Sequence, residues 1–333
     1  MNLKLYDATP NNILFEKEYP ESFYSDKEGI KENTTCLESP LGKGYYKEIY
    51  FEGVHIGFGS AILREKMQVC FESDFETIEM HFSLKGKSTA MAENFDQKVS
   101  FETHQHNLVY TNSMCGKMNW ESDQFQLCEI NLSPSFFKKF IPQETALFDT
   151  FRNNIEKGKS SLLSVKNNHA THQMYQIIYE IMHCQRKGIF KRMFLEAKVI
   201  ELLLLQLEQF SSAPISSPSL KKSDIEKIYS VREFMLHNLD SANSLIDLAH
   251  QVGTNEFTLK KGFKELFGTT VFAFWNDIKM EQARNLLLEQ NINITEIAHI
   301  MGYKNQRNFS AAFKKKYGIV PSQLKLHLNK TII

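Results

Sequence analysis

Ser244 to Gly268 reads SLIDLAHQVGTNEFTLKKGFKELFG, and Asn293 to Gly318 reads NITEIAHIMGYKNQRNFSAAFKKKYG. The two stretches are versions of each other. Leu245, Leu248, Ala249 and Gly253 match Ile294, Ile297, Ala298 and Gly302 at an offset of 49. Leu259, Phe263, Phe267 and Gly268 match Phe309, Phe313, Tyr317 and Gly318 at an offset of 50, so the second turn carries one extra residue. Such a repeat is one supersecondary unit used twice. Ser244 with Asp247, and Asn293 with Glu296, have the spacing of a helix N-cap and its third residue. The Ala at 249 or 298 lets a following helix approach closely. The Gly at 253 or 302 supplies the positive φ of a sharp exit. Thr254 and Asn305 read as caps of the next helix, which turns Leu259/Phe263 or Phe309/Phe313 inward. These are the parts of a tandem helix-turn-helix, in which the polar start of each second helix enters a major groove.

Working outward, TVFAFWNDIKMEQARNLLLE from Thr270 to Glu289 reads as one helix with Phe274, Ile278, Ala283, Leu286 and Leu287 inward. A helix of that length spans roughly 30 Å, close to the roughly 34 Å between successive major grooves on one side of DNA. The chain of 333 residues is balanced at 39 basic and 39 acidic residues. After Glu296, however, no acid occurs, while Lys304, Arg307, Lys314, Lys315, Lys316, Lys325 and Lys330 do. That is the footprint a phosphate backbone requires.

The expected fold class is α+β. Residues 1–132 form a β-rich domain of barrel or sandwich type, because aromatic-rich and alternating runs recur from Tyr45 to about Leu132 (YYKEIYFEGVHIGFG, MQVCFES, FETIEMHFSLKG, VSFETHQHNLVYTN, FQLCEINLS). Residues 133–210 read as a central helical segment. In MFLEAKVIELLLLQLEQF, the residues Leu195, Val199, Leu202 and Leu203 lie on an apolar stripe wider than one packing face needs, which places the homodimer contact there. A Ser/Pro-rich linker follows at 211–222, and 223–333 hold the two helix-turn-helix units at 244–268 and 293–318. Five scattered cysteines without a CxxC pair fit a reducing compartment rather than a disulfide framework. No secretory leader or membrane span is read, so a cytoplasmic protein without a membrane partner is expected.

At this point the region from Ile225 to Leu328 resembles the AraC/XylS family of regulators. The resemblance rests on the double motif, the ARNLLLE helix and the ending IAHIMGYKNQRNFSAAFKKKYGIVPSQLK. GTNEFTLKKGFKELFGTTVF, with FLEAKVIELLLLQLE upstream, is similar to the pyochelin-regulator-like branch. The resemblance implies a cupin-like N-terminal domain that senses a small-molecule effector or dimerises, and a C-terminal domain that binds double-stranded promoter DNA and addresses RNA polymerase. Carried over by position, Phe257, Lys260 and Lys261 in the first unit and Gln306, Arg307 and Ser310 in the second reach base edges. Thr254, Asn255, Lys304, Asn305, Lys314, Lys315 and Lys316 lie at phosphates. Ala311 stands where many relatives have Arg, which puts the strength of readout by the second unit in doubt. The chemistry agrees: Arg and Lys pair with guanine, Gln with adenine, and lysines neutralise phosphate.

His104-Gln-His106 invites a metal reading, since alternate strand residues share a face, but no carboxylate follows, and His81 and Glu102 would have to substitute. No catalytic residue, metal or cofactor is expected, and His106 reads as a structural hydrogen-bonding residue. The aromatics Tyr45, Tyr46, Tyr50, Phe51, Phe58, Phe82 and Trp120 either fill a small barrel or line a pocket for a planar or apolar ligand. A ferric chelate is open as an effector through the resemblance, though no motif establishes one. Two other readings stay open: a constitutive regulator whose β domain only dimerises, and a cupin-type metalloenzyme fused to helices.

Overall fold

Side chains alternate in burial through the N-terminal half, and helical periodicity takes over after Pro134. The computed structural model describes residues 1–7, 13–23, 29–39, 42–95, 98–142, 146–212, 220–241, 243–289 and 292–330. Its contacts divide the chain into two units, Met1–Pro214 and Ile215–Ile333.

The first unit holds two antiparallel sheets, with strands numbered in chain order. The smaller runs β2 (Ile13–Glu18), β1 (Asn2–Asp7), β6 (Met67–Ser73), β11 (Met114–Trp120), β8 (Ser88–Ala92), β9 (Val99–Phe101). The larger runs β13 (Ser161–Leu162), β10 (Gln105–Thr111), β7 (Thr77–Lys85), β12 (Gln124–Leu132), β5 (Val54–Leu63), β4 (Gly42–Phe51), β3 (Lys31–Ser39), and β14 (Asn168–His169) also pairs with β10. Strands β1, β2 and β3 precede the Tyr45 start of the strand pattern read from sequence. Two of them, β2 and β3, are sheet edges, and edge strands carry charges such as Glu16, Lys17, Lys31 and Glu32 that hide their alternation.

Register gives the larger sheet two different faces. One carries Ile49, Ile56, Ile130, Met80 and Leu108 in a single cross-strand row, all buried. Helices α1 (Pro134–Phe137) and α2 (Ala146–Glu156) follow β12, and α3 (His172–Met182) and α4 (Gly188–Ser211) follow β14. Helix α4 is tied to this apolar side by polar contacts at both ends. Lys191 Nζ donates to Glu32 at 2.6 Å, and Gln206 Nε2 donates to His106 Nδ1 at 2.9 Å. His106 Nε2 in turn donates to Gln209 Oε1 at 2.7 Å, the structural role expected for this residue. Burial pushes its imidazole down to about 4, so it stays neutral.

The stripe Leu195, Val199, Leu202, Leu203 continues the Lys191–Gln206 face and is 0–1% exposed. The expectation that these four residues carry a dimer contact is therefore corrected. Their hydrophobicity is spent inside their own unit. The HxH reading is also corrected, because His104 lies before β10 with φ +68 and does not share a strand face with His106.

The second unit is α5 (Lys222–His237), α6 (Leu245–Gln251), α7 (Glu256–Phe267), α8 (Val271–Glu289), α9 (Ile294–Ile300), α10 (Gln306–Tyr317) and α11 (Pro321–Lys330). Gly262 lets α5 press onto α7: a Cβ there would lie 1.8 Å from Ile228 Cδ1. Phe263 meets Phe267 and Phe274 with ring centroids 4.9 and 5.5 Å apart. A second core gathers Met280, Ala283 and Leu287 of α8 with Ile297, Ala298, Met301, Phe309 and Phe313. Helix α8 thus serves both cores, burying Phe274, Ala283 and Leu287 and half-burying Ile278 and Leu286.

Phe313→Ala should destabilise the second unit by about 3–5 kcal/mol in denaturant melts followed by circular dichroism. Gly253 and Gly302 have φ +67 and +72, but a Cβ on Gly302 would meet the Asp240 carbonyl oxygen at 2.7 Å and one on Gly253 meets nothing within 4 Å. Gly253→Ala should cost about 1–2 kcal/mol, and Gly302→Ala distinctly more; equal costs would mean the Asp240 backbone yields freely.

In the first unit, His106 is protonated in the unfolded chain below about 6.5 and resists protonation in the fold down to about 4. Its stabilising contribution is whole above the unfolded value and is lost as pH falls through the window between them. The wild type's advantage over His106→Gln should shrink between pH 7 and pH 4.5, and an advantage that stays constant would contradict the neutral imidazole.

Candidate functional site

Both turns are built alike. Ser244 Oγ accepts from Asp247 N at 3.2 Å while Asp247 Oδ2 accepts from Ser244 N at 2.9 Å, and Asn293 Oδ1 accepts from Glu296 N at 2.8 Å. After each first helix, the Gly253 and Gly302 amides donate to His250 and His299, and Thr254 N and Tyr303 N donate to Ala249 and Ala298 at 2.9 and 2.8 Å. The added residue of the second turn is accommodated beyond Tyr303, whose hydroxyl donates to Asn276 of α8 at 2.8 Å. Asn255 and Asn305 then cap α7 and α10, each Oδ1 accepting an amide at 2.9 Å. Thr254, read as a cap from sequence, is one residue short of it. Gly268 and Gly318, at φ +68 and +76, close the helices.

Phe257, Lys260, Gln306 and Arg307 are exposed along the N-terminal parts of α7 and α10, and Lys261 and Ser310 are half-buried. Phe257 is 75% exposed, an aromatic ring that no core explains. Lys304, Asn305, Lys314, Lys315 and Lys316 are exposed, as is Asn255, while Thr254 is half-buried. Several of these are engaged. Lys260 pairs with Glu256 at 2.8 Å, Lys261 with Glu265 at 3.8 Å, and Lys316 with Asp277 of α8 at 2.5 Å. Sequence reasoning missed Thr295, whose hydroxyl donates to Gln306 Oε1 at 2.9 Å and holds that side chain against α9. It also missed Lys227, which donates to the Gly253 carbonyl at 2.8 Å.

The other face of the larger sheet is polar. Register aligns Glu48, Gly57, Glu129, His81 and Asn107 in one row across β4, β5, β12, β7 and β10. Contacts with the smaller sheet show that this row lies between the sheets. The Phe15 ring meets Tyr46 at 5.5 Å near one end, and Phe101 meets His81 at 4.0 Å near the other. Lys17 pairs with Glu48, which also accepts from Tyr19 Oη at 2.7 Å and from His55 Nε2 at 3.3 Å. Burial pushes the His55 imidazole down to about 4. Tyr46 Oη donates to Glu129 Oε1 at 2.5 Å across Gly57, where a Cβ would lie 2.1 Å from that hydroxyl. Burial, and next the charge of Glu79, hold the Glu129 carboxyl above the usual carboxylate range. His81 Nδ1 bonds Glu79 Oε1 at 2.7 Å, and its buried Nε2 has no hydrogen-bond partner among the described residues. No group of three or more His, Cys, Asp or Glu among the described residues is arranged to hold a metal ion. A sequence signal existed for this row: an acid in the buried strand FQLCEINLS opposite the glycine-bearing HIGFG.

Comparison with known proteins agrees with both units. The family described as Regulatory protein PchR N-terminal domain matches residues 47–221, more than half of the chain, and a helix-turn-helix domain family matches residues 248–326. Regulatory protein PchR of Pseudomonas aeruginosa is 31% identical over 127 residues, covering 38% of this chain and 43% of that protein. The xylose operon regulatory protein of Escherichia coli is 38% identical over 72 residues, 22% of this chain and 18% of that one. The chain thus spans less than half the length of both. The virulence regulon activator VirF of Yersinia enterocolitica is 24% identical over 201 residues, 60% of this chain and 72% of that one. Among solved structures, ToxT of Vibrio cholerae with an unsaturated fatty acid bound is 16% identical, covering 81% of this chain and 94% of that one, with a TM-score of 0.32. No described helix is long and apolar enough to cross a membrane. With two helix-turn-helix units of matching geometry and an N-terminal half matched by the PchR domain, the chain belongs to the AraC/XylS family of DNA-binding transcription regulators, in the PchR-like branch.

Proposed function

We propose that the protein is a dimeric, effector-responsive regulator of the cytoplasm that reads promoter DNA through α7 and α10, addresses RNA polymerase there, and catalyses no reaction. One observation carries the reading: two capped recognition helices, each with its N-terminal end exposed, joined by the single helix α8. Phe257 suits a thymine methyl, Lys260 and Lys261 guanine, Arg307 a bidentate contact to guanine O6 and N7, Gln306 adenine, and Ser310 either base. Thr254, Asn255, Lys304, Asn305, Lys314, Lys315 and Lys316 hold phosphates. The Asn caps spend their oxygens on helix amides and keep their Nδ2 donors for that purpose. The effector, a small molecule with an aromatic or apolar body, lies between the two sheets.

The dimer contact is moved to the opposite side of α4. Phe190, Met193 and Leu204 are 72, 61 and 52% exposed, Ala197 is exposed and Ile200 half-buried. Their spacing alternates three and four residues, as in a coiled-coil seam. Arg186 and Lys187 stand exposed at the start of α4, while Glu196 and Glu208 lie further along, the reverse of what the helix dipole favours. An antiparallel second copy brings acidic and basic ends together.

Arg307→Ala should cost about 1–3 kcal/mol at one base position and relax preference there, whereas Lys315→Ala should weaken specific and scrambled DNA alike. Equal loss on both duplexes for Arg307→Ala would make it a phosphate contact. Binding should also fall steeply with salt. Met193→Glu with Leu204→Glu should give a folded monomer in sedimentation; a persistent dimer moves the interface elsewhere. Leu202→Asp should instead unfold the first unit, because it buries an unpaired charge.

A further inference from the structure

A side-chain clasp joins α9 to α10. The Thr295 hydroxyl, at the second position of α9, donates to Oε1 of Gln306, the first residue of α10, at 2.9 Å. Both residues are exposed. Their backbones are fixed, because Asn293 and Asn305 cap the two helices and Ile297, Ala298 and Phe309 are buried in the core beneath. The bond therefore ties two rigid elements together at the start of the second recognition helix, beside the exposed Arg307.

The first unit shows that the fold does not need this bond. At the offsets of the repeat, Thr295 corresponds to Ile246 and Gln306 to Glu256. Ile246 has no polar group and is 50% exposed, and Glu256 turns along its own helix to pair with Lys260 at 2.8 Å. The two turns nevertheless share their asparagine caps and their left-handed glycines. A hydrogen bond in water adds only modestly to stability, so its consequence lies in the amide that it holds. A free glutamine rotates about several torsions and can turn either its oxygen or its nitrogen to whatever edge it meets. After accepting from Thr295, the Gln306 oxygen keeps one lone pair and Nε2 keeps both protons. An acceptor and a donor thus face outward in a fixed order. Adenine offers N6–H and N7 side by side in the major groove and satisfies both, whereas guanine offers two acceptors and leaves the held oxygen opposed to one of them.

Resting on the reading that α10 enters the major groove, we infer that Thr295 is a positioning residue for base readout, which holds the Gln306 amide in the orientation that selects adenine. It also removes in advance the rotamer freedom that a loose glutamine would lose on binding. The second unit reads this base through residues of two helices. The first unit, with Ile246 and Glu256 in the same places, does not.

The test uses the full chain and duplexes that the wild type selects from a randomised pool, with each base pair of the preferred sequence then substituted in turn. Gln306→Ala should flatten the preference at one pair, where the wild type takes A·T. Thr295→Val, which keeps the β-branched shape, should lower the preference at that same pair by roughly three- to tenfold, about the worth of one hydrogen bond, and leave the other positions alone. Thr295→Ser should restore it, and adding Thr295→Val to Gln306→Ala should change nothing further. All should fold by circular dichroism, since isoleucine stands at this place in the first unit; should Thr295→Val unfold, Thr295→Ala replaces it. An unchanged profile in Thr295→Val, or an equal loss on every duplex as for a phosphate contact, overturns the positioning role and leaves DNA reading by α10 standing. So does a Gln306→Ala profile that flattens no pair, or flattens one where the wild type takes G·C. A pool that yields no preferred sequence overturns both.

Discussion

The turn after Ala249 and Ala298 governs the second unit. A left-handed glycine ends each first helix, and the next amide returns to the alanine carbonyl. An L-residue resists this conformation, and a larger side chain at the alanine would hold the two helices apart. These two small residues therefore set the angle at which α7 and α10 leave the core. Everything the recognition helices present follows from that angle: the asparagine caps, the exposed first turns and the lysines. The two aromatic cores beneath then hold the angle fixed, with α8 shared between them.

The first unit rests on a different constraint, the strict alternation of a strand. Because paired residues share a face, one register places Ile49, Ile56, Ile130, Met80 and Leu108 under the helices, and Glu48, Gly57, Glu129 and His81 between the sheets. Shifting any strand by one residue would exchange the two sets. The apolar face seats α4, which His106, Gln206 and Gln209 anchor. The polar face meets the smaller sheet instead, through the Lys17–Glu48 pair and the Phe15–Tyr46 and Phe101–His81 ring contacts.

What could be read in advance followed from how local each signal is. Glycine after alanine, a cap three residues before its partner, and an apolar repeat are local, and they gave the tandem motif and α8 without tertiary knowledge. Thr and Asn are both good caps, so the sequence does not separate Thr254 from Asn255, and the amide of Thr258 shows that Asn255 is the one used. The apolar stripe on α4 suits a dimer as well as a sheet, because a helix's sequence does not say which of its wide faces meets its own sheet. The buried ends Lys191 and Gln206 decide it. His104 and His106 looked alike until φ +68 took His104 off the strand. The Glu129–His81 row was the least legible, since it joins residues 48, 57, 81 and 129 through pairings that no short stretch of sequence contains.

The two recognition helices have diverged within a shared geometry, and the divergence assigns them different shares of the proposed contact with DNA. In α7, Glu256 and Glu265 engage Lys260 and Lys261, so the net charge offered is small and the exposed Phe257 ring is its most distinctive feature. In α10 no acid is present, Arg307 is exposed, and Lys314 and Lys315 have no acidic partner among the described residues. Counterion release, the source of sequence-independent affinity, therefore falls mainly to the second unit. Apolar contact with a thymine methyl, which adds discrimination with little charge, falls to the first. A small residue on α10 lets the helix approach the backbone closely, while Thr295 holds Gln306 and Asp277 holds Lys316. In the proposed mode of binding, the second unit anchors the protein on the duplex and helix α8 carries the first to the adjoining groove.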